Sequence, residues 1–200
     1  MNKIILQGLA GLALVAILSA QAEGGLIRVQ FDDFSNTGVN VTALNIGGIT
    51  LNREVNFSTG ARFEGGSIVL DNQAVAILTY TVTNGDFGDL FATSGASKSF
   101  FDGFSVNALR NVVGEGQTSF VIEVGGIPVV GSTLSNGDND FRNVAMPGAT
   151  TVKFTIANTR PGNAPPGSLV INSLSAVPEP SAMLMVGLLA SFGLSRRRRA

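Results

Sequence analysis

The sequence predicts an all-β chain, an antiparallel two-sheet sandwich of jelly-roll-like type with an apolar segment at each end. Three observations predict it. Short runs rich in Val, Ile, Thr and Phe alternate apolar and polar side chains, the period of a half-buried strand. Clusters of Gly, Asn, Asp and Ser separate these runs, with explicit turn pairs at Asn84-Gly85, Asn136-Gly137 and Pro161-Gly162. No segment between residues 23 and 175 sustains a helical period.

In chain order, the first strands are expected at Leu26–Phe31, Val39–Ile46, Gly48–Val55, Ala61–Phe63 and Ser67–Leu70. Further strands are expected at Ala74–Thr83, Ser99–Val106, Thr118–Val124, Ile127–Val130, Thr151–Ala157 and Ser168–Leu174. The pattern is clean in Thr151–Ala157, where Val152, Phe154 and Ile156 face a core and Lys153 and Thr155 face out. Ala74–Val82 is more continuously apolar, as in a central strand covered on both faces. Tyr80 lies inside that run and reads as core. Phe100-Phe101, with Phe104 nearby, must turn one ring of the pair outward. A membrane β-barrel would need aromatic girdles, and the chain has no Trp and one Tyr.

The N-terminal residues 1–22 have the form of a secretory signal peptide. Lys3 supplies the positive charge, Ile4–Ile17 is apolar except at Gln7, and Ala20-Gln21-Ala22 gives the small-x-small cleavage pattern. Such a segment implies passage through the Sec translocon and removal by signal peptidase after Ala22. The chain then divides into residues 1–22, a sandwich domain over 23–175 and a tail over 176–200.

Charge and composition restrict what the body does. Lys3 and Arg196–Arg199 account for five of the 13 basic residues, which leaves eight against 14 acids and a net charge of −6 over residues 23–180. An acidic body opposes nucleic acid and anionic lipid by charge alone. With no His and no Cys, a Ser-His-Asp triad and a Cys nucleophile are excluded, and zinc loses its preferred ligands. A body of this size can bury a core large enough to dispense with disulfides.

Two acidic clusters remain, Asn84–Asp89 and Asn136–Asp140. Asn136, Asp138 and Asp140 alternate oxygen side chains as a calcium loop begins, but Phe141 stands where the turn Gly belongs and no Glu closes the loop. These three are the candidate calcium ligands, with a solvated turn as the simpler expectation. Asp32-Asp33 and Asp71 are expected at the surface or in turns. A glycan-active enzyme needs only two placed carboxylates, and turn placement gives it no positive support. No catalytic residue and no required cofactor are expected.

The tail reads VPEPSAMLMVGLLASFGLSRRRRA over Val177–Ala200. Its apolar stretch, residues 182–195, is short for a bilayer: Ala182–Leu194 as a helix covers about 20 Å of roughly 30 Å of hydrocarbon. Snorkelling arginines let it just cross. Arg196, Arg197, Arg198 and Arg199 would hold the C-terminus on the cytoplasmic side, opposite the exported body. The prolines of Pro178-Glu179-Pro180 keep Glu179 extended at the outer face.

Val177-Pro178-Glu179-Pro180-Ser181, a glycine-containing apolar run and a terminal Arg cluster together resemble the PEP-CTERM sorting signal of secreted proteins from exopolysaccharide-producing Gram-negative bacteria. The resemblance covers Val177–Ala200. It implies a transient inner-membrane intermediate, recognition by exosortase, processing near Pro178-Glu179-Pro180 and delivery to the cell surface or extracellular matrix. The resemblance says little about the body; the two end signals, the β pattern and the lack of nucleophile chemistry lead to the expectation of a non-enzymatic role in exopolysaccharide-associated assembly such as biofilm. Direct binding of the matrix glycan is the alternative, and a secreted glycan-active enzyme the second alternative.

Overall fold

A computed structural model describes residues 29–46, 48–92, 101–144 and 148–178. Among these residues lie twelve strands and two short helical turns. The strands are β1 Val29–Asp32, β2 Asn40–Ile46, β3 Ile49–Phe57, β4 Ala61–Glu64, β5 Ser67–Leu70 and β6 Val75–Thr83. They continue as β7 Phe101–Asn111, β8 Thr118–Val124, β9 Ile127–Ser132, β10 Gly137–Phe141, β11 Thr151–Asn158 and β12 Ser168–Pro178. Helix α1 spans Phe87–Ala92, and a 3-10 turn spans Glu115–Gln117.

Two antiparallel sheets form the predicted sandwich. The first has the order β10-β7-β12-β5-β4, with β1 also paired to β12. The second runs β2-β3-β6-β11-β8-β9. Hairpins supply β2-β3 and β8-β9, and crossovers bring β3, β6, β11 and β8 side by side.

Alternation builds the core between the sheets. In β11, Val152, Phe154 and Ile156 are buried and their neighbours half-buried, as the pattern predicts. Four rings join the layers. Phe31 and Phe104 come from the first sheet, Tyr80 and Phe154 from the second, and they meet edge to face with centroids 5.1–6.0 Å apart. This is the arrangement that aromatic quadrupoles favour.

The structure corrects several expectations. Residues 137–141 form strand β10, not a turn, because Gly137–Phe141 pairs along Phe104–Ala108 of β7. Strand β7 extends to Asn111, past the expected end at Val106, while Ser99 and Phe100 lie outside the described residues. A helix interrupts the β pattern at Phe87–Ala92: Asp89 N–H donates to Asp86 Oδ1 at 2.7 Å, and Asp86 N–H to Asp89 Oδ2 at 3.3 Å, a reciprocal cap. Strand β6 is central in its sheet but covered on one face. Its outward residues Val75, Ile77, Thr79 and Thr81 are half-buried, shaded by cross-strand neighbours. Of the phenylalanines near residue 100, Phe104 is fully buried, while Phe100 lies outside the described residues.

Among the described residues, the edge strands β2, β9, β4 and β10 are blunted. Strand β2 carries a bulge between Thr42 and Leu44, and β9 carries Pro128 and a bulge at Val129. Strand β4 has four residues, with Arg62 and Glu64 on it, and β10 carries Asp138 and Asp140. Bulges, proline and charge each discourage pairing with another chain.

Candidate functional site

Strand β12 is the element that leads into the tail. It is also the centre of the first sheet: β7 lies along one side, and β5 then β1 along the other. Its last residues belong to the fold. Leu174, Ala176 and Val177 are 0 % exposed, and Ser175 is buried between them. Successive side chains of a strand point to opposite faces, so both faces of the sheet are covered here. Ala176 is paired on both sides, with Val29 of β1 and Phe104 of β7. Val177 lies opposite Gly103, and Pro178 opposite Phe101, with an irregularity between the two pairs. The strand thus runs three residues past the boundary drawn at residue 175.

Gly103 shows how tight this end is. A Cβ there would stand 1.8 Å from the Phe141 carbonyl oxygen, so only glycine lets that chain cross beside β7. Because β1 and β12 are antiparallel, the chain enters β1 at the end of the sheet where it leaves β12. Val29 and Pro178 therefore lie at one pole of the sandwich.

The sorting residues fall on both sides of that exit. Val177 and the Pro178 backbone are in β12. Glu179, Pro180, Ser181, the stretch 182–195 and Arg196–Arg199 lie outside the described residues, as do Ala20 and Ala22. No helix among the described residues is long and apolar enough to cross a membrane.

The calcium candidates are engaged in holding β10 to β7. Asn136 Oδ1 accepts from the Arg110 N–H at 2.7 Å, and Asp138 Oδ1 accepts from Asn107 Nδ2 at 2.7 Å. Asn139 closes the turn through the carbonyls of Val106, Ser135 and Gly137. Asp140 pairs with Ser105 in the ladder. Among the described residues, no three of His, Cys, Asp and Glu gather as a metal would require.

Asp32 departs from the expectation of a surface residue, for it is buried at the hub of a polar cluster. Arg53, 2 % exposed, donates through Nη1 to Asp32 Oδ1 and Oδ2 at 2.9 and 2.8 Å. Its Nη2 donates to the carbonyls of Asn36 and Gly38. Tyr80 donates its hydroxyl to Asp32 Oδ2 at 2.5 Å, and the Phe34 N–H donates to Asp32 Oδ1 at 2.8 Å. The Arg53 guanidinium lies over the Phe63 and Phe34 rings at 5.1 and 5.7 Å. Burial pushes the Tyr80 hydroxyl pKa well above its ordinary value, and the Asp32 carboxylate adds to the shift. Next in chain, Asp33 is held below the usual range by hydrogen bonds from the Ser35 side chain and N–H.

This cluster closes the sandwich beneath β2. Two clefts flank that strand. One of about 410 Å³ lies between β1 and β2 over Asp33, Ser35, Asn36 and Thr42. The other, about 320 Å³, lies on the outer face over Asn40, Thr42, Asn52, Glu54, Thr79 and Thr81. Register aligns Thr42, Asn52, Thr81 and Thr151 in one row across four strands. The face presents hydroxyls and amides with few charges, and the ion pair of Lys153 with Glu123 at 2.6 Å lies further along it.

Sequence reasoning missed the Arg53 cluster, although alternation in Ile49-x-Leu51-x-Arg53-x-Val55 already places Arg53 inward. The PEP-CTERM protein-sorting motif model matches residues 176–199, beginning inside β12. A search of curated proteins found no match to the chain. The chain carries a PEP-CTERM sorting motif and is an exported protein targeted to exosortase, held transiently at the membrane for processing.

Proposed function

We propose that the chain is a non-enzymatic surface or matrix protein whose exported sandwich serves exopolysaccharide-associated assembly such as biofilm or floc. The sorting motif at residues 176–199 carries this reading. The acids support it, since they build structure: Asp32 anchors Arg53, Asp71 pairs with Arg62, Asp86 and Asp89 cap α1, and Asp138 ties β10 to β7. The test is a strain lacking this chain, complemented with the full-length protein or with one ending at residue 178. Loss of biofilm or floc that only the full-length form restores is expected. Unchanged matrix in the deletion strain would overturn the reading.

A second reading, direct contact with the matrix glycan, is favoured by the cleft over Asn40, Asn52 and Thr81. Rows of hydroxyl and amide groups suit a polyhydroxyl ligand through hydrogen bonds. Stacking platforms do not enter this reading, because the exposed large apolar side chains of the described residues are aliphatic. Pull-down with the host polymer, comparing Asn52→Ala and Thr81→Val with the parent, separates the two. Binding lost in the variants supports contact, and absence of binding by the parent counts against it.

A further inference from the structure

We propose that the folded body itself holds back processing: Ala176–Pro178, the first residues of the sorting motif, are strand, and exosortase obtains an extended substrate only when that strand end opens. The inference rests on the exosortase reading and adds a control that the body exerts over it.

An enzyme that cuts an extended peptide binds its main chain much as a neighbouring strand would. Here those main-chain groups are already engaged. Ala176 is laddered on both sides, by Val29 and Phe104. Val177 is laddered to Gly103, with its side chain at 0 % exposure. Only Glu179 separates this strand from Pro180. An enzyme acting near Pro178-Glu179-Pro180 therefore competes with the sheet for the residues on the N-terminal side of the cut. A linker of even a few flexible residues would remove the competition, and the sequence has none between β12 and the motif.

The ladder has a defined point at which to yield. Its register breaks between Val177 and Pro178, and Pro178 has no N–H to donate. Opening can thus start at Pro178 and stop at Ala176, where two neighbours hold the chain. Local opening of this kind costs less than global unfolding, so the body stays folded while its end is offered. Processing also becomes sensitive to whether the body has folded, because an unfolded body leaves the motif free from the start.

The test uses the full-length chain in its host, with and without exosortase. One variant inserts Gly-Ser-Gly-Ser-Val-Pro between Pro178 and Glu179, which keeps β12 whole and rebuilds the motif beyond a linker. Pulse labelling with intact-mass readout follows the loss of the tail. Hydrogen exchange at residues 174–177 of both purified forms verifies that the strand end is equally closed. The linker form is expected to be processed about tenfold faster or more, as for a substrate freed from an opening equilibrium. Equal rates with equal protection overturn the proposal. Tail loss that is the same in the strain without exosortase, or absent from both forms with it, overturns the underlying exosortase reading, and the strain comparison tells this failure from the first.

Discussion

Tyr80 donates its hydroxyl to Asp32 Oδ2 at 2.5 Å, so the single tyrosine of the second sheet is tied to the end of β1 in the first. The bond crosses the sandwich between buried residues, and Arg53, the register partner of Tyr80 on β3, neutralises the carboxylate from the same sheet.

Tyr80 therefore reports the integrity of the core directly. The unfolded chain should ionise it near pH 10, whereas burial and the Asp32 charge raise its pKa in the folded state. Its neutral form favours folding, a contribution fully present below the unfolded pKa and lost as pH rises toward the folded one. Tyrosinate absorbance should thus stay flat in the native protein past pH 10 and appear together with unfolding. With no Trp and no second Tyr, the signal belongs to this residue alone. A reversible native titration centred near pH 10 would contradict the burial.

Removing one partner of the Arg53–Asp32 pair should be severe. Arg53→Leu leaves a buried carboxylate without its cation and is expected to cost about 3–5 kcal/mol in urea unfolding. Arg53→Met combined with Asp32→Asn should recover part of that loss, because no unpaired charge remains. A double variant as unstable as Arg53→Leu would show that the pair contributes more than mutual neutralisation.

The end of β12 gives a third test. A chain of residues 23–178 should be more stable than one of residues 23–175 by about 3–5 kcal/mol, from lost burial of Ala176 and Val177 and their ladder bonds. Unfolding midpoints of the two forms decide it. Equal midpoints would place these residues outside the cooperative fold.

Gly103→Ala should destabilise by about 1–3 kcal/mol or more, because its Cβ meets the Phe141 carbonyl and the backbone must yield. Loss of amide exchange protection should concentrate at β10 and the end of β7. Protection unchanged there would mean that the crossing relaxes without cost.

Calcium is expected to leave the unfolding midpoint unmoved, since Asn136 and Asp138 already bond within the protein. Asp138→Ala should lower stability by about 1 kcal/mol through its lost hydrogen bond, equally with and without calcium. A calcium-dependent midpoint that Asp138→Ala abolishes would support the metal reading.

The sandwich was legible because alternation is a local signal. Thr151–Ala157 and Thr118–Val124 show it within a few residues, and the structure has strands there. Strand β10 was hidden by its composition, Gly-Asp-Asn-Asp-Phe, which reads as a turn. Only pairing with β7 and the amide network of Asn139 make it a strand. Helix α1 was missed because six residues hold less than two full helical periods, though Asp86-x-x-Asp89 marks its cap. Asp32 could not be placed from its neighbours, because its burial depends on Arg53 and Tyr80, 21 and 48 residues away. The tail motif was legible as an address, but its overlap with β12 was not. Ser168–Leu174 alternates like an independent strand, and the following Ser175-Ala176-Val177 carries no mark of its place between β1 and β7.

Because β12 occupies the middle of its sheet yet is encoded last, most of the body must be synthesised and exported before its first sheet can close. Until then β7 and β5 lack their shared neighbour, and β1 lacks the one ladder partner it has among the described residues. Pairing residues so far apart in sequence is slow to establish. The chain should therefore cross the membrane as an unclosed sandwich, with unpaired strands for quality-control chaperones to guard. Maturation would then be timed by translation itself, since the final strand arrives only as the address behind it does.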